Sequence, residues 1–348
     1  MVKGKVEGKV EGKAVMRALA TSISLLALIA TACSGGGGSG GTGDGLTGSI
    51  LVSGSSTVQP ITDLVAELFV EQAPDVQISV DGPGTSDGFV LFCDGETDVQ
   101  DASRAISEEE IAACEANGVE YVELEVAFDG ITVMTNPANP IECLTTADLY
   151  ALMGPESEGF GSWSDANALA TELGGTGSFP DSPLEITAPG EESGTYDAFL
   201  ELAGFEDFGV SHGLSEDAAA VMRPDYQALA NDNVILQAIE GTPSSLGYVG
   251  FAYAEEGGDT VKEVAVDAGD GCVAPSRETI ADGSYPLSRP LYVYVNKAKA
   301  GQSPALKAFI DHYVSDEGLM LAVTEAGYVE LPQDRIDATR STWESAAV

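Results

Sequence analysis

Three times in its first two hundred residues this chain runs an apolar, strand-like stretch into a Gly/Ser/Thr turn that opens directly into an amphipathic helix. The turns are Ser53-Gly54-Ser55-Ser56-Thr57, Gly82-Pro83-Gly84-Thr85-Ser86-Asp87-Gly88 and Gly190-Glu191-Glu192-Ser193-Gly194-Thr195, and the helices run on through Ile61, Phe89 and Tyr196. Strand, turn and helix in regular succession demand an α/β fold with a mostly parallel sheet. The turns also say where chemistry can sit. A helix N-terminus carries unpaired backbone N–H groups and about half a positive charge, so several of them with hydroxyls alongside can hold a small multivalent anion.

Periodicity predicts strands over 49–53, 76–81, 99–103 and 182–188, and helices over 61–72, 88–96, 108–117, 145–152, 195–203 and 231–240. Residues 245–254 read as one segment with a strand-like centre, and helices are expected over 303–314 and 318–326. Three runs, 119–126, 130–136 and 290–296, are long and β-rich, as strands that cross between two lobes should be. The implied body has a discontinuous first lobe, 48–130 with 291–348, and a second lobe, 131–290. A ligand belongs in the cleft, at strand C-termini and helix N-termini.

Residues 1–32 read as a signal peptide behind an N-terminal extension. Met1 to Val15 repeats Lys-Val-Glu-Gly without an apolar face, Met16-Arg17 begins the signal, and Ala18 to Ala32 is apolar but short for a membrane span. Ile29-Ala30-Thr31-Ala32-Cys33 resembles a bacterial lipobox, making Cys33 the expected lipidated residue, with an uncleaved helix as the alternative. The Gly/Ser-rich stretch from Cys33 to residue 47 then serves as a flexible tether, which places the protein outside the cytoplasm on a lipid anchor.

The formal net charge is −41, with 56 acids against 15 bases. Five bases (Lys3, Lys5, Lys9, Lys13 and Arg17) precede Cys33, leaving ten in the remainder. Such a surface repels nucleic acid and anionic lipid, and its dispersed acids suit a high-salt habitat. An anion site here needs strong local positive potential, so helix ends and any nearby Arg gain importance. Cys93, Cys114, Cys143 and Cys272 are an even set, which in an exported chain favours two disulfides. Three pairings exist; chain order and the lobe division select Cys93 with Cys114 and Cys143 with Cys272. Their spacing matches no zinc pattern, and with His212 and His312 the only histidines no metal site is expected.

A fourth loop of the same kind, Asp101-Ala102-Ser103-Arg104-Ala105-Ile106-Ser107, carries Arg104, the only base in any of the four. An Arg fork places two parallel charge-assisted bonds on an oxyanion, about 1.5–3 kcal/mol each; the competing role for Arg104 is a surface salt bridge. Gly54-Ser55-Ser56-Thr57-Val58, Gly84-Thr85-Ser86-Asp87-Gly88-Phe89, Asp101-Ala102-Ser103-Arg104 and Glu192-Ser193-Gly194-Thr195-Tyr196-Asp197 together resemble the phosphate-binding subunit of bacterial phosphate ABC importers, the PstS-like family. Gly283 to Tyr292, which includes Ser288-Arg289-Pro290, resembles that family's second crossover, and the similarity runs from about Gly48 to about Val329.

The resemblance implies a two-lobed periplasmic-binding-protein fold of type II, a Venus flytrap with two crossover strands. It implies a monomer without a cofactor that captures inorganic phosphate and passes it to a membrane permease. Carried over by position, Ser56, Thr57 and the Val58 backbone cap the anion from the first helix and Thr85 from the second. Ser103 and Arg104 line the first-lobe side, while Ser193, Gly194 and Thr195 close over it. Some members carry an Arg four residues before Ser-Gly-Thr and an Asp after Ala-Ser; here those positions hold Pro189 and Arg104. The family's Asp accepts the proton of monohydrogen phosphate and repels proton-free sulfate. Asp87, Asp101 and Asp197 are candidate substitutes, each with an ordinary helix-capping or first-turn role as the alternative.

Other oxyanions (sulfate, molybdate, a phosphonate) are alternative ligands. A secreted hydrolase with Ser193 as nucleophile is the rival from another class, although Gly-x-Ser-x-Gly is missing and His212 and His312 are the only bases of that type. A cation-binding scaffold lacks an Asp-x-Asp-x-Asp-Gly loop, Asp267 to Gly271 being a turn with too few ligands.

Overall fold

A computed structural model describes residues 45–191 and 193–346. The extension, the signal stretch, Cys33, most of the tether and Glu192 lie outside the described residues. Among those described, no helix is long and apolar enough to cross a membrane.

The first half of the body begins with β1 (Gly48–Gly54), α1 (Gln59–Gln72), β2 (Val76–Asp81), α2 (Thr85–Cys93), β3 (Val99–Ala102) and α3 (Glu108–Asn117). β1 buries Ile50 and Val52 and pairs in parallel with β2 on one side and β3 on the other. α1 starts with Pro60 in its first turn, where a missing N–H costs nothing, and buries Ile61, Val65 and Phe69 at helical spacing. α3 opens on a capping box in which the Ser107 hydroxyl accepts from Glu110 N–H and the Glu110 carboxylate accepts from Ser107 N–H.

The two runs expected at 119–126 and 130–136 are one strand, β4 (Tyr121–Thr135), about 50 Å long at 3.3 Å per residue. Up to Gly130 it pairs antiparallel with the late strand Ser288–Asn296, and from Ile131 onward with Ser245–Gly250. One strand thus changes partner in its middle. The remaining strands in chain order are β5 (Cys143–Thr145), β6 (Glu185–Ala188), β7 (Gln227–Ala228), β8 (Ser245–Gly250), β9 (Lys262–Glu263), β10 (Ala265–Asp267) and β11 (Ser288–Asn296). The main sheet runs β2-β1-β3-β11-β4-β8-β6-β7 with β9 on the end of β4, and β5 and β10 form a separate parallel pair. β11 lies antiparallel between β3 and β4, which returns the chain to the first half.

Helices α4 (Thr146–Met153), α5 (Asn167–Glu172) and α6 (Gly194–Leu202) pack the second half. Its core includes fully buried Trp163 and Tyr150 and a Phe199–Tyr248 stack with centroids 3.9 Å apart. The disulfides are Cys93–Cys114, joining α2 to α3, and Cys143–Cys272, closing the small β5/β10 sheet.

α2 begins three residues earlier than expected, at Thr85, and β6 three later, at Glu185; two further expectations differ in the type of element. The segment 245–254 is broken at Gly250, where β8 gives way to a helix, Phe251–Gly257, whose Ala and Glu residues favour that state. The run at 318–326 begins as a π-helix, Glu317–Ala322: the Gly318 Cα lies so close to the Tyr313 carbonyl that a Cβ there would be 1.9 Å from it.

Candidate anion-binding site

At the C-terminal ends of β1 and β3 the loops close on one another through backbone contacts that tolerate no side chain. Gly54 has φ +143°, and a Cβ on it would lie 2.1 Å from the Asp101 carbonyl oxygen. The next residue, Ser55, donates its N–H to that carbonyl at 2.8 Å, and Gly84 N–H donates to Gly54 O at 2.9 Å. A Cβ on Gly88 would lie 2.5 Å from the Gly54 Cα, so the first turn of α2 rests directly on the end of β1. The buried Gln100 amide donates to the carbonyls of Thr85 and Asp101, both at 2.9 Å. Thr85 Oγ1 lies 3.0 Å from Ser103 Oγ and accepts from Ser103 N–H. Tyr294 Oη, accepting from Ile106 N–H, fixes the far end of the fourth loop.

These loops surround a cavity of about 400 Å³ lined by Ser55, Ser56, Thr57, Pro83, Gly84, Thr85, Ser86, Asp87, Ser103, Arg104, Asp197, Glu201 and Arg289. Two guanidinium groups face it. Arg104 donates from Nη1 and Nη2 to the two oxygens of Glu110, both at 2.8 Å, and from Nη2 to Ser86 Oγ at 2.9 Å. Burial pushes the Glu110 carboxyl up, but the bonds from Arg104 and Ser107 together hold it below the ordinary range. Arg289 comes from β11 and is only 8% exposed. Its Nε lies 3.4 Å from Asp129 Oδ2, its Nη1 2.5 Å from Glu201 Oε2, and its Nη2 donates to Thr57 Oγ1 at 3.2 Å. Asp129 on β4 is 5% exposed; burial raises its carboxyl more than Arg289 pulls it down. The scarcity of bases shows in their pairing: each of the ten past Cys33 has a carboxylate within 4 Å.

A family model described as a PBP superfamily domain matches residues 39–317 of this framework of crossed strands and converging loops. The chain belongs to the PBP superfamily. Among its relatives, protein SphX of Synechocystis is 38% identical over 302 residues, covering 86% of this chain and 83% of SphX. The phosphate-binding protein PstS of Staphylococcus saprophyticus is 32% identical over 310 residues, covering 88% of this chain and 87% of PstS. At these identities the chain is a member of the PstS-like family. The crystal structure of a possible phosphate binding protein from Planctomyces limnophilus superposes with TM-score 0.78 at 36% identity, covering 87% of this chain and all of that one. An ABC-type phosphate transport receptor from Vibrio cholerae, 24% identical with TM-score 0.57 over 81% of this chain, shares the fold.

In this PstS-like chain the cavity gathers Ser56, Thr57, Thr85, Ser103 and Arg104 as the sequence suggests. Val58 is fully buried in the core, and its N–H donates to Ser55 O within the turn. Ser193 is the N-cap of α6, its hydroxyl accepting from Thr195 N–H, and Gly194 sits where a Cβ would be 3.4 Å from Ser56 O. The start of α6 therefore rests against the first loop, while its residues on the cavity wall, Asp197 and Glu201, come one and two turns later. Asp87 lines the wall in the first turn of α2. Asp101 is 1% exposed and does not line the cavity; burial pushes its carboxyl up to about 8, with Thr62 and Tyr313 beside it. Burial likewise raises Asp197, against the pull of Arg289 and with the push of Glu201. His212 pairs with Glu156 and His312 with Glu317, and neither lines the cavity.

Arg289 and Glu201 were not singled out from the sequence. The usable signal for Arg289 was its place in Ser288-Arg289-Pro290 of the second crossover, in a chain with so few bases; for Glu201, its spacing four residues after Asp197 on the same helix face.

Proposed function

We propose that this protein captures inorganic phosphate between two lobes outside the cytoplasm and delivers it to the permease of an ABC importer, working as a monomer tethered through lipidated Cys33. The observation that carries the reading is the meeting of three Ser/Thr/Gly loops with Arg104 and Arg289 around one cavity. The name of its PstS relative, phosphate-binding protein, supports phosphate as the ligand, and the importer is what the resemblance to the PstS-like family implies. The family is a solute-binding one, which is not an enzyme class.

In this reading the lobes are 48–130 with 291–348, and 131–290. The change of partner in β4 at Gly130/Ile131 supports a hinge there, with β11 as the second crossover. Phosphate exchanges water for hydroxyl and guanidinium donors, Ser56, Thr57, Thr85, Ser103, Arg104 and Arg289, and α6 closes with Ser193, Gly194 and Thr195 against the first loop. Of the candidate proton acceptors, Asp197 is favoured because it stands on the wall beside Arg289 while Asp101 is buried away from it. A carboxylate there accepts a phosphate proton and repels sulfate, whose oxygens carry none.

Isothermal titration calorimetry of the mature chain at high salt, at pH 5 and 8, tests this. One-to-one binding of phosphate with sulfate silent is expected. Heat with sulfate, molybdate or a phosphonate alone would replace the ligand; labelling of Ser193 by a fluorophosphonate would revive a hydrolase.

A further inference from the structure

The two arginines at the cavity are held in different ways. The carboxylate on Arg104 belongs to Glu110, which also accepts from Ser107 N–H in the capping box of α3 and does not line the cavity. It is fixed by its own helix. Arg289 has a fixed partner too, the buried Asp129, which stands behind it and off the cavity wall. Its other carboxylate is Glu201, whose side chain is 58% exposed, lines the cavity and meets Arg289 Nη1 at 2.5 Å. Glu201 lies on the outer face of α6, so its side chain can turn into water without disturbing the core.

Arg289 is already outnumbered by Asp129 behind it and by Glu201 and Asp197 on the wall, where Asp87 adds a further acid and the other cation, Arg104, is itself paired with Glu110. A divalent anion placed there without rearrangement would face net negative charge at short range, where like charges repel most strongly. The donor it needs is the one Glu201 holds. We propose that Glu201 is a built-in competitor for the oxyanion: its carboxylate stands on Arg289 Nη1 in the place of a ligand oxygen, and the bound anion displaces it into solvent. Glu201 is then an affinity-setting residue. It keeps Arg289 extended toward the cavity and makes release easier, as suits a protein that must hand its ligand on. This inference rests on the phosphate reading above.

The test is calorimetric titration of inorganic phosphate into the mature chain, Glu201→Gln and Glu201→Asp. Glu201→Gln removes the competing charge, and Glu201→Asp keeps the charge but falls one methylene short of Arg289. Both should bind phosphate more tightly than the unaltered protein, Glu201→Gln by about twofold to fivefold, the range for losing one largely exposed ion pair. Unchanged or weaker binding by Glu201→Gln, with the unaltered protein binding normally, would overturn the competitor role alone. Tightening in Glu201→Gln but not in Glu201→Asp would assign the gain to general charge and overturn the exchange at Arg289. Silence of the unaltered protein with phosphate would overturn the phosphate reading and this inference with it.

Discussion

Replacing Arg289 with Gln separates what that residue does for the ligand from what it does for the fold. On the ligand side the loss is up to two charge-assisted bonds, about 1.5–3 kcal/mol each, so phosphate affinity should fall about 10²–10⁴-fold. On the fold side Gln leaves Asp129, 5% exposed, without its cation. Breaking a buried pair from one side costs about 3–5 kcal/mol when the orphan stays charged. The Glu201 contact is largely exposed and adds little to stability. The pH dependence follows from Asp129. Burial already raises its carboxyl above the ordinary range, and Arg289 opposes the rise; without Arg289 it climbs further. A carboxyl raised in the folded state is least harmful below its unfolded value and costs stability as pH climbs through the folded one. The melting deficit of Arg289→Gln should therefore be small near pH 4 to 5 and widen toward pH 8. Scanning calorimetry across that range, with phosphate titrations at each pH, reads both effects. Arg289→Gln/Asp129→Asn should recover stability but not binding. Phosphate affinity within threefold of the parent would refute the ligand role, and a deficit independent of pH would refute the account of Asp129.

Three further outcomes follow from the same geometry. Asp101, with its carboxyl pushed up to about 8 by burial, should cost stability as pH rises from about 4 through 8, so Asp101→Asn should melt above the parent at pH 9 and match it near pH 4; a variant that melts lower at pH 9 would contradict this. Gly54→Ala puts a Cβ 2.1 Å from the Asp101 carbonyl at φ +143°, so it should distort the first loop and weaken phosphate binding by at least tenfold, about 1.4 kcal/mol, and titration within twofold of the parent would refute the packing argument. With a formal charge of −41 the folded state repels itself, and raising salt from about 0.05 M, where the screening length exceeds 10 Å, to 1 M should raise the melting temperature; a flat or falling curve in thermal scans would refute self-repulsion.

Local patterning settled most of the elements. β2 and α3 occupy the residues their periodicity predicts, because each is defined by nearby signals: alternation over 76–81, and Ser107 with Glu110 bracketing the start of the helix. The first, second and fourth Ser/Thr/Gly loops meet at one cavity because strand, turn and helix fix the direction of each helix N-terminus. Several short helices, α5 among them, and the last helix, Gln333–Ser345, are not legible in the sequence: the last buries only Ile336, Thr339 and Trp343, too sparse a stripe in a polar stretch to stand out. Other facts depend on contacts between distant residues. That 119–126 and 130–136 form one strand depends on which partner each half meets, β11 or β8, far along the chain. The arginine that faces the cavity beside Arg104 comes from β11, and its partners Thr57, Asp129 and Glu201 lie 232, 160 and 88 residues away. Sequence alone determined the strand–turn–helix units and most of the hydroxyls that line the cavity, since these follow from short-range backbone geometry. Only the tertiary structure decided where the charge sits, because an ion pair depends on distance through space.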